Sequence, residues 1–257
     1  MTTVDSPAVL VDEADGILVV TLNRPRVRNA VDVAVAEAVA AAMERLDAEP
    51  GLRVGVLTGA GGYFCAGMDL RAFAEGRRPV VPGRGFAGLV ERPPVKPLIA
   101  AVEGPALGGG TEIVLACDLV VAGESAVFGL PEVARGLIAA AGGLLRLTSR
   151  VSYHQAMEIA LLGDRVSAAD AHRFGMVNRL VPDGRALATA LALAARVAAN
   201  APLAVAASKR VIGASWPTDA EGFARQEAVA AEVRSSADAA EGARAFLAKR
   251  APVWSAS

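Results

Sequence analysis

The sequence predicts an α/β core over residues 1–182 and a helical C-terminal region over residues 183–257. Three observations carry this prediction. Short apolar strands alternate with helical segments in the first part, a pattern typical of a sheet covered on both faces. Two of those strands run directly into glycine-rich loops. From about residue 183 onward the strand periodicity is lost and helix follows helix.

The first elements follow from local signals. A hairpin is predicted over residues 9–22, because two apolar runs flank the turn pair Asp15-Gly16. Asp32 is expected to cap a helix whose apolar residues recur at steps of three and four, and Pro50-Gly51 ends that helix. The remaining core elements are predicted as strands over residues 54–58, 98–102 and 119–121 and a helix over residues 111–116.

The C-terminal region is predicted to contain four helices. Pro202 and Pro217 mark two of the joints, because proline removes a backbone donor and interrupts a helix. Helices rich in small apolar residues often pack on a partner subunit, so this region is also expected to contact another copy of the chain. The predicted helices cover residues 187–197, 203–212, 220–233 and 239–247.

Composition and charge exclude several classes of protein. The chain has 257 residues and is 53% hydrophobic, which is enough for a sizeable core. Its formal net charge of −1 gives no support to nucleic-acid binding. Charge-free stretches, such as residues 136–145, fall short of the roughly 20 residues that a membrane span needs. Residues Met1 to Asp5 show no signal peptide, and two cysteines are too few for a disulfide framework, so a cytoplasmic location is expected.

The sequence gives no support to metal binding or to dinucleotide binding. A glycine pattern of the dinucleotide-binding type occurs at residues 83–88, but prolines on both sides remove the strand and the helix that should flank it. We therefore interpret that segment as a flexible surface loop. The cysteines are expected to be small packing residues, and the histidines to be structural or exposed. No pair among these four side chains has the spacing of metal ligands: Cys65, Cys117, His154 and His172.

Two glycine-rich loops, residues 59–70 and 104–112, are candidates for oxyanion binding. Each follows a buried strand and precedes a helix, so its peptide N–H groups point out of a helix N-terminus. Two such turns facing one another could supply a pair of backbone donors for a developing negative charge. Alternatively, the glycines only allow tight turns and close packing.

Glu112 and Glu132 are candidates for acid–base chemistry. Glu112 lies in the first turn of an otherwise apolar helix, where a carboxylate can simply favour the helix dipole. Glu132 alone would more often be a solvated turn residue. Together, in apolar and glycine-rich surroundings, the two carboxylates suit proton transfer on a small molecule. Burial and mutual repulsion would raise at least one pKa and leave a proton donor beside an acceptor.

Several ordered motifs resemble the enoyl-CoA hydratase (crotonase) superfamily, and the likeness extends over nearly the whole chain. The resemblance implies a spiral core of repeated β-β-α units, a helical C-terminal trimerisation region, and a homotrimer or dimer of trimers. The motifs are Asn23-Arg24-Pro25, Phe64-Cys65-Ala66-Gly67-Met68-Asp69-Leu70, Ala106-Leu107-Gly108-Gly109-Gly110-Thr111-Glu112, Phe128-Gly129-Leu130-Pro131-Glu132 and Glu241-Gly242-Ala243-Arg244-Ala245-Phe246-Leu247.

The resemblance also implies a site. The N–H groups of Met68 and Gly109 would hold the thioester oxygen of an acyl-CoA, Glu112 would mainly activate water, and Glu132 would mainly donate a proton. The CoA thioester is then the substrate, and no metal or other cofactor is expected. Further substrate or CoA contacts are expected at Val27, Ala30, Ala66, Asp69, Leu70, Gly108, Pro131, Leu137, Phe246 and Lys249.

The implied reaction is hydration of the trans-2 double bond of an enoyl-CoA to a 3-hydroxyacyl-CoA, as in β-oxidation or related acyl-CoA metabolism. Alternatives are a carnitinyl-CoA dehydratase-like or isomerase reaction, or acyl-CoA binding without turnover. Residues 139–141 and 144–146 depart from the family's common Pro-Gly-Ala and Thr-Gln-Arg, so acyl specificity can differ. Four arginines in residues 76–94 would either meet CoA phosphates or form a solvated basic loop: Arg77, Arg78, Arg84 and Arg92.

Overall fold

A computed structural model describes residues 7–213 and 220–253. The N-terminal residues expected to lack a signal peptide, and the joint expected at Pro217, lie outside this range. The elements in chain order are β1 Val9–Ala14, β2 Ile17–Leu22, α1 Val33–Ala48, β3 Val54–Gly59, α2 Leu70–Ala74, β4 Val80–Val81, β5 Gly85–Phe86, β6 Leu98–Val102, β7 Pro105–Leu107, α3 Gly109–Ala116, β8 Leu119–Gly123, β9 Val127–Gly129, α4 Gly143–Leu147, α5 Tyr153–Leu162, β10 Val166–Ser167, α6 Ala168–Arg173, β11 Arg179–Val181, α7 Ala186–Ala198, α8 Pro202–Gly213, α9 Ala220–Arg234 and α10 Ala237–Leu247. Two 3-10 turns occur at Pro25–Val27 and Pro131–Arg135.

The main sheet has six strands in the order β1-β2-β3-β6-β8-β11. The predicted hairpin is confirmed as the antiparallel pair of β1 and β2, and the other neighbours are parallel. A smaller sheet has the order β10-β9-β7, and β4 pairs with β5. The central strands β3 and β6 are almost wholly buried, as their uninterrupted apolar sequences predict.

Helices cover both faces of the main sheet. The Asp32 carboxylate accepts a hydrogen bond from the N–H of Val35 at 2.9 Å and caps α1, as predicted. On the other face, α7 presents Ala186, Ala190 and Ala194, all fully buried against apolar side chains of the sheet. These alanines recur every four residues on one side of the helix, and their small side chains let its backbone approach the strands closely.

The predicted surface loop at residues 83–88 is wrong. Strands β4 and β5 form a small hairpin here, and the residues that follow pack into the main core. Arg84 is only 4% exposed, and its Nε donates to Glu44 on α1 at 3.1 Å, so this arginine is not part of a solvated basic surface. Gly88 has φ +69, and a β-carbon there would overlap the carbonyl oxygen of Ala36. Glycine therefore allows the chain to turn inward beneath α1. The other three arginines of this segment, Arg77, Arg78 and Arg92, are exposed as expected.

The last strand ends at Val181, and four helices follow at nearly the predicted positions. Because α7 packs on the main sheet, this helical region shares part of the core; its assignment as a separate oligomerisation unit stays a prediction. Among the described residues, no single helix is long and apolar enough to cross a membrane. Helices α7 and α8 meet the length and composition criteria only when taken together, and they are bent by 109° at their junction.

Candidate active site

The two glycine-rich loops lie side by side. Cys65 and Ala106 form a parallel bridge, in which the N–H of Cys65 donates to Pro105 at 3.2 Å and the N–H of Leu107 donates to Cys65 at 3.0 Å. A β-carbon at Gly110 would overlap the carbonyl oxygen of Cys65, so glycine is needed for this close approach. Segments that the sequence predicts separately are thus joined by backbone hydrogen bonds.

The expected oxyanion amides of Met68 and Gly109 are both available as donors. Val31 bonds to the residues on either side of Met68: its N–H donates to Gly67 at 2.8 Å, and its carbonyl accepts from Asp69 at 2.9 Å. In a parallel bridge of this kind, the N–H of the middle residue, Met68, points away from Val31. Gly109 is the first residue of α3, so its N–H has no acceptor within the helix. Within residues 7–213 and 220–253, neither N–H has an acceptor.

The backbone conformation of Gly67 holds the N–H groups of Met68 and Gly109 near each other. Its φ is +89, and a β-carbon there would lie 3.1 Å from the nitrogen of Gly109 and 2.9 Å from the carbonyl oxygen of Leu107. The chain at Met68 therefore passes directly beside the start of α3. Two neighbouring N–H groups without acceptors, one of them at a helix N-terminus, are suited to binding developing negative charge.

Arg24 supports the first amide, a role that sequence reasoning missed. Its guanidinium donates to the carbonyl of Ala30 at 2.6 Å and to the carboxylate of Asp69 at 3.2 Å, and it lies 3.1 Å from the carboxylate of Asp32. Arg24 therefore connects the cap of α1 to the residue that follows Met68. The sequence signal was an arginine directly after a buried strand, with two acids that bear no local relation to it.

Asn29 was also missed, although it belongs to the same support. It is 1% exposed and has φ +55. Its Nδ2 donates to the carbonyls of Ala60 at 2.9 Å and Tyr63 at 2.7 Å, and its Oδ1 accepts from the N–H of Arg24 at 2.8 Å. Asparagine tolerates left-handed backbone better than most residues, and its amide here replaces backbone partners for the glycine-rich loop.

Glu112 occupies the first turn of α3, as predicted, and is 3% exposed. Its Oε1 accepts from the N–H of Ala141 at 2.7 Å and the N–H of Gly143 at 2.9 Å. Burial raises the pKa of Glu112, and the nearby charge of Glu132 raises it further. The two backbone donors and Arg146 act in the opposite direction, because they stabilise the ionised carboxylate.

Glu132 lies in the 3-10 turn Pro131–Arg135 and is half-buried. Its Oε1 lies 2.9 Å from the position that a β-carbon at Gly108 would take. Its Oε2 is buried without a hydrogen-bond partner among the described residues. Burial also raises the pKa of Glu132. A buried carboxylate oxygen without a partner costs free energy, which is the usual condition of a group that binds water or substrate.

Most of the predicted contact residues lie around these groups. Asp69 uses its side chain structurally, because it binds Arg24 and accepts from the N–H of Arg71 at 3.1 Å. The ring of Phe246 on α10 lies 5.2 Å from the guanidinium carbon of Arg135, in the turn that carries Glu132. Contact with substrate stays a prediction for all of them. Ala30 and Gly108 are buried, Leu70, Pro131 and Leu137 are half-buried, and Val27, Ala66, Phe246 and Lys249 are exposed.

The cysteines and histidines supply neither the expected oxyanion donors nor the acid–base groups, although the backbone of Cys65 joins the two glycine-rich loops. Both cysteines are buried free thiols, and burial raises the pKa of Cys65 to about 12. His154 and His172 are exposed on α5 and α6, as expected. Across the described residues, no three His, Cys, Asp or Glu side chains are grouped closely enough to hold a metal ion.

The fold and the site together define a crotonase-type protein: in the described residues, two backbone donors without acceptors lie at the start of the helix that carries the buried Glu112, and the half-buried Glu132 lies against Gly108. Comparison with known proteins agrees, since the enoyl-CoA hydratase/isomerase family model matches residues 12–257. The chain belongs to this family.

Named relatives match along almost their full length. The chain is 44% identical to enoyl-CoA hydratase EchA19 of Mycobacterium tuberculosis, over 98% of each chain. It is 42% identical to a carnitinyl-CoA dehydratase of Salmonella typhi, over 93% of this chain and 94% of the relative. The crystal structure of a carnitinyl-CoA hydratase from Mycobacterium avium superposes with a TM-score of 0.93 at 45% identity, and covers 98% of this chain and all of its own. The predicted crotonase fold is thereby confirmed.

Proposed function

We propose that this protein hydrates the trans-2 double bond of an enoyl-CoA to give a 3-hydroxyacyl-CoA. The observation that carries the proposal is the pair of the buried Glu112 and the half-buried Glu132, both with raised pKa, beside two backbone N–H groups without acceptors in the described chain. Hydration needs a base, an acid and a site for negative charge, and this arrangement supplies each of them. The full-length relative named enoyl-CoA hydratase supports the same reaction.

Substrate binding would begin at the backbone. The thioester oxygen accepts hydrogen bonds from the N–H groups of Met68 and Gly109, which draws electrons away from the double bond. Negative charge grows on this oxygen as the enolate forms, so the two donors bind the transition state more tightly than the substrate. Each donor of this kind contributes about 3–4 kcal/mol to the lowering of the barrier.

The two glutamates would then divide the proton transfers. Glu112 accepts a proton from water as the water oxygen bonds to the β carbon, and Glu132 gives its proton to the α carbon as the enolate collapses. The assignment follows from the hydrogen bonds: two N–H groups stabilise a charged Glu112, whereas Oε2 of Glu132 has no donor in the described chain. Each role contributes roughly 10²–10⁴ in rate. The reaction as proposed uses no metal or organic cofactor.

The test is turnover of a short trans-2-enoyl-CoA. Wild-type protein should bleach the ultraviolet absorbance of the conjugated thioester and yield a product heavier by one water. Glu112→Gln and Glu132→Gln should each abolish bleaching, while Glu37→Gln, an exposed glutamate on α1, should leave it unchanged. Inactivity of the wild type on short, medium and branched enoyl-CoA substrates would refute the proposal.

A second candidate is a carnitinyl-CoA dehydratase-like reaction, favoured by relatives that carry that name or the corresponding hydratase name. The same acid–base pair would serve both directions of water addition, so the two candidates differ in the acyl group. Rates on carnitinyl-CoA and on crotonyl-CoA, measured side by side, decide between them. An isomerase would leave the substrate mass unchanged, and a protein that only binds acyl-CoA would bind in calorimetry without turnover.

The metabolic setting is part of the proposal. We place the reaction in fatty-acid β-oxidation or related acyl-CoA metabolism, because an enoyl thioester and its 3-hydroxy product are successive intermediates of acyl-chain degradation. We also propose a cytoplasmic location, which the two buried free thiols favour. Acyl-CoA levels and protein location in cells that lack or carry the gene would test both statements.

We further propose a homotrimer or a dimer of trimers. Helix α8 has no buried residue in the single chain, and its Leu203, Val211 and Ile212 are 85%, 67% and 65% exposed. Helix α5 exposes Tyr153 and Leu161 on one side. Apolar side chains exposed on this scale are typical of subunit interfaces. Light scattering at several protein concentrations should give a mass three or six times that of the chain, and a monomer would refute the proposal.

A further inference from the structure

Arg146 is a buried cation that the proposed chemistry does not use. It lies in α4 and is 6% exposed. Its Nη2 donates to the carbonyl of Val90, and its guanidinium carbon lies 5.6 Å from the centre of the Phe223 ring on α9. Its Nη1 is buried and has no hydrogen-bond partner among the described residues. Burying a guanidinium in such a place costs a large desolvation free energy. A purely structural role for Arg146 would therefore lower the stability of the fold.

The geometry places Arg146 directly behind Glu112. The two side chains lie against neighbouring glycines: a β-carbon at Gly142 would overlap Nη1 of Arg146, and one at Gly143 would lie 2.9 Å from Oε1 of Glu112. Gly143 is also one of the two residues whose N–H binds this carboxylate. One peptide unit thus separates the positive charge from the oxygen that the mechanism needs ionised.

Among the charged groups near Arg146, Glu112 is the carboxylate whose ionised form Arg146 stabilises. Glu112 itself faces Glu132 from the 3-10 turn and Arg146 from α4. Arg146 faces Arg150, one turn further along the chain, and the buried thiol of Cys117 on the end of α3. Burial, followed by repulsion from Arg150, lowers the pKa of Arg146 to about 10, so Arg146 is still charged near neutral pH.

We propose that Arg146 is a positioning residue: its charge favours the ionised form of the Glu112 carboxylate against the burial that opposes it, and its bond to Val90 holds α4 and the turn before it, which carry the two N–H donors to Glu112. The inference rests on the proposed function for its kinetic meaning. It extends that function by joining the buried segment after β5, which contains Val90, to the catalytic base.

The kinetic test compares neutral and charged replacements. In Arg146→Met and Arg146→Gln, both limbs of the kcat/KM pH profile with crotonyl-CoA should move to higher pH by about one unit, because a lost neighbouring charge raises the pKa of the coupled pair. Arg146→Lys keeps the charge and should keep the wild-type limbs. Arg150→Gln is the matched control, and its limbs should stay in place. A neutral variant that only scales the profile down at every pH would overturn the proposal.

A second measurement does not depend on turnover. In Glu132→Gln, infrared titration of buried carboxyl groups follows Glu112, and adding Arg146→Met should raise its midpoint by about one pH unit. Arg146→Met is used here because methionine fills much of the apolar volume of the arginine side chain. The measurement can therefore be made even if Arg146→Gln fails to fold. An unchanged midpoint overturns the role of Arg146 even if the protein proves to be a hydratase. A raised midpoint in a protein without hydratase activity would refute the proposed function alone.

Discussion

The hydroxyl of Thr111 accepts a hydrogen bond from the backbone of Gly129, and the carbonyl oxygens of Gly129 and Ala106 both lie within reach of its single proton. Oγ1 of Thr111 accepts from the N–H of Gly129 at 3.0 Å and lies 2.8 Å from its carbonyl oxygen; it also lies 2.6 Å from the carbonyl oxygen of Ala106. Thr111 directly precedes Glu112, and Gly129 ends the strand that leads to Glu132. One buried hydroxyl therefore fixes the distance between the elements that carry the two glutamates.

Replacing this hydroxyl should weaken both stability and turnover. Thr111→Val keeps the shape but leaves the N–H of Gly129 without its acceptor, so the free energy of unfolding should fall by about 1–3 kcal/mol. We expect kcat to fall at least tenfold, because the glutamates lose their common support. Denaturant titration and crotonyl-CoA kinetics measure the two effects. Thr111→Ser keeps the hydroxyl and should retain most of both; an active and stable valine variant would contradict the interpretation.

The raised pKa values of Glu112 and Glu132 should make stability depend on pH. A carboxyl group whose pKa is raised by folding holds its proton in the folded state while the unfolded chain has lost it, so stability falls as pH rises. The loss starts at the ordinary value of 4.5 and continues to the raised pKa of Glu112; above that it is constant. Below the ordinary value the effect is absent.

Glu112→Gln removes this contribution, and its amide oxygen can still accept from Ala141 and Gly143. Relative to the wild type, the variant should therefore gain stability as pH rises through that window. Unfolding free energies at pH 4, 6 and 8 provide the measurement. A difference between the two proteins that does not change with pH would show that Glu112 titrates normally.

Arg24 should matter for turnover more than for substrate binding. Arg24→Met removes the bonds to Ala30 and Asp69 and leaves the chain around Met68 free to shift. A misplaced oxyanion donor costs transition-state stabilisation, so kcat should fall by about 10²–10³ with a smaller change in KM. Arg26→Met, at an exposed position two residues away, is the matched control. Equal kinetics for the two variants would exclude the supporting role of Arg24.

Phe86 should make Gly109 intolerant of a side chain. A β-carbon at Gly109 would lie 2.6 Å from the edge of the Phe86 ring, so Gly109→Ala must displace either the ring or the amide. We expect a fall in kcat/KM with little change in secondary structure. Phe86→Leu in the alanine background should restore part of the activity because it makes room, and a double-mutant cycle would measure the coupling. Additive effects of the two changes would show that the ring and the amide are independent.

Local signals in the sequence predicted the elements well. Asp32 caps α1, and the hairpin turns at Asp15-Gly16, because each rests on hydrogen bonds or backbone angles within a few residues. The helix at residues 111–116 was predicted two residues short, since Gly109 and Gly110 disfavour helix and only their contacts with Cys65 and Phe86 explain them. Helices α7 to α10 begin and end within two residues of the predicted bounds.

The sequence misled where burial depends on distant partners. Prolines and glycines around residues 83–88 indicated an exposed loop. In the structure, Arg84 is buried and donates to Glu44, and Gly88 packs against the carbonyl oxygen of Ala36. Arg24 and Asn29 lie near their own partners only after the chain has folded. A charged or polar side chain carries no local sign of the acceptor that will cover it, because that acceptor arrives from a separate part of the chain.

The sequence by itself determined the long strands and most of the helices, the two glycine-rich loops, and Glu112 and Glu132 as the candidate acid–base pair, but not the short strands β4, β5, β7, β9, β10 and β11. Only the tertiary structure decided that Cys65 bridges to Ala106, that the free N–H groups of Met68 and Gly109 lie close together, and that Arg146 faces Glu112 across two glycines. The physical reason is that hydrogen-bond periodicity acts over a few neighbouring residues, whereas pKa and the placement of an oxyanion donor depend on groups brought together through space.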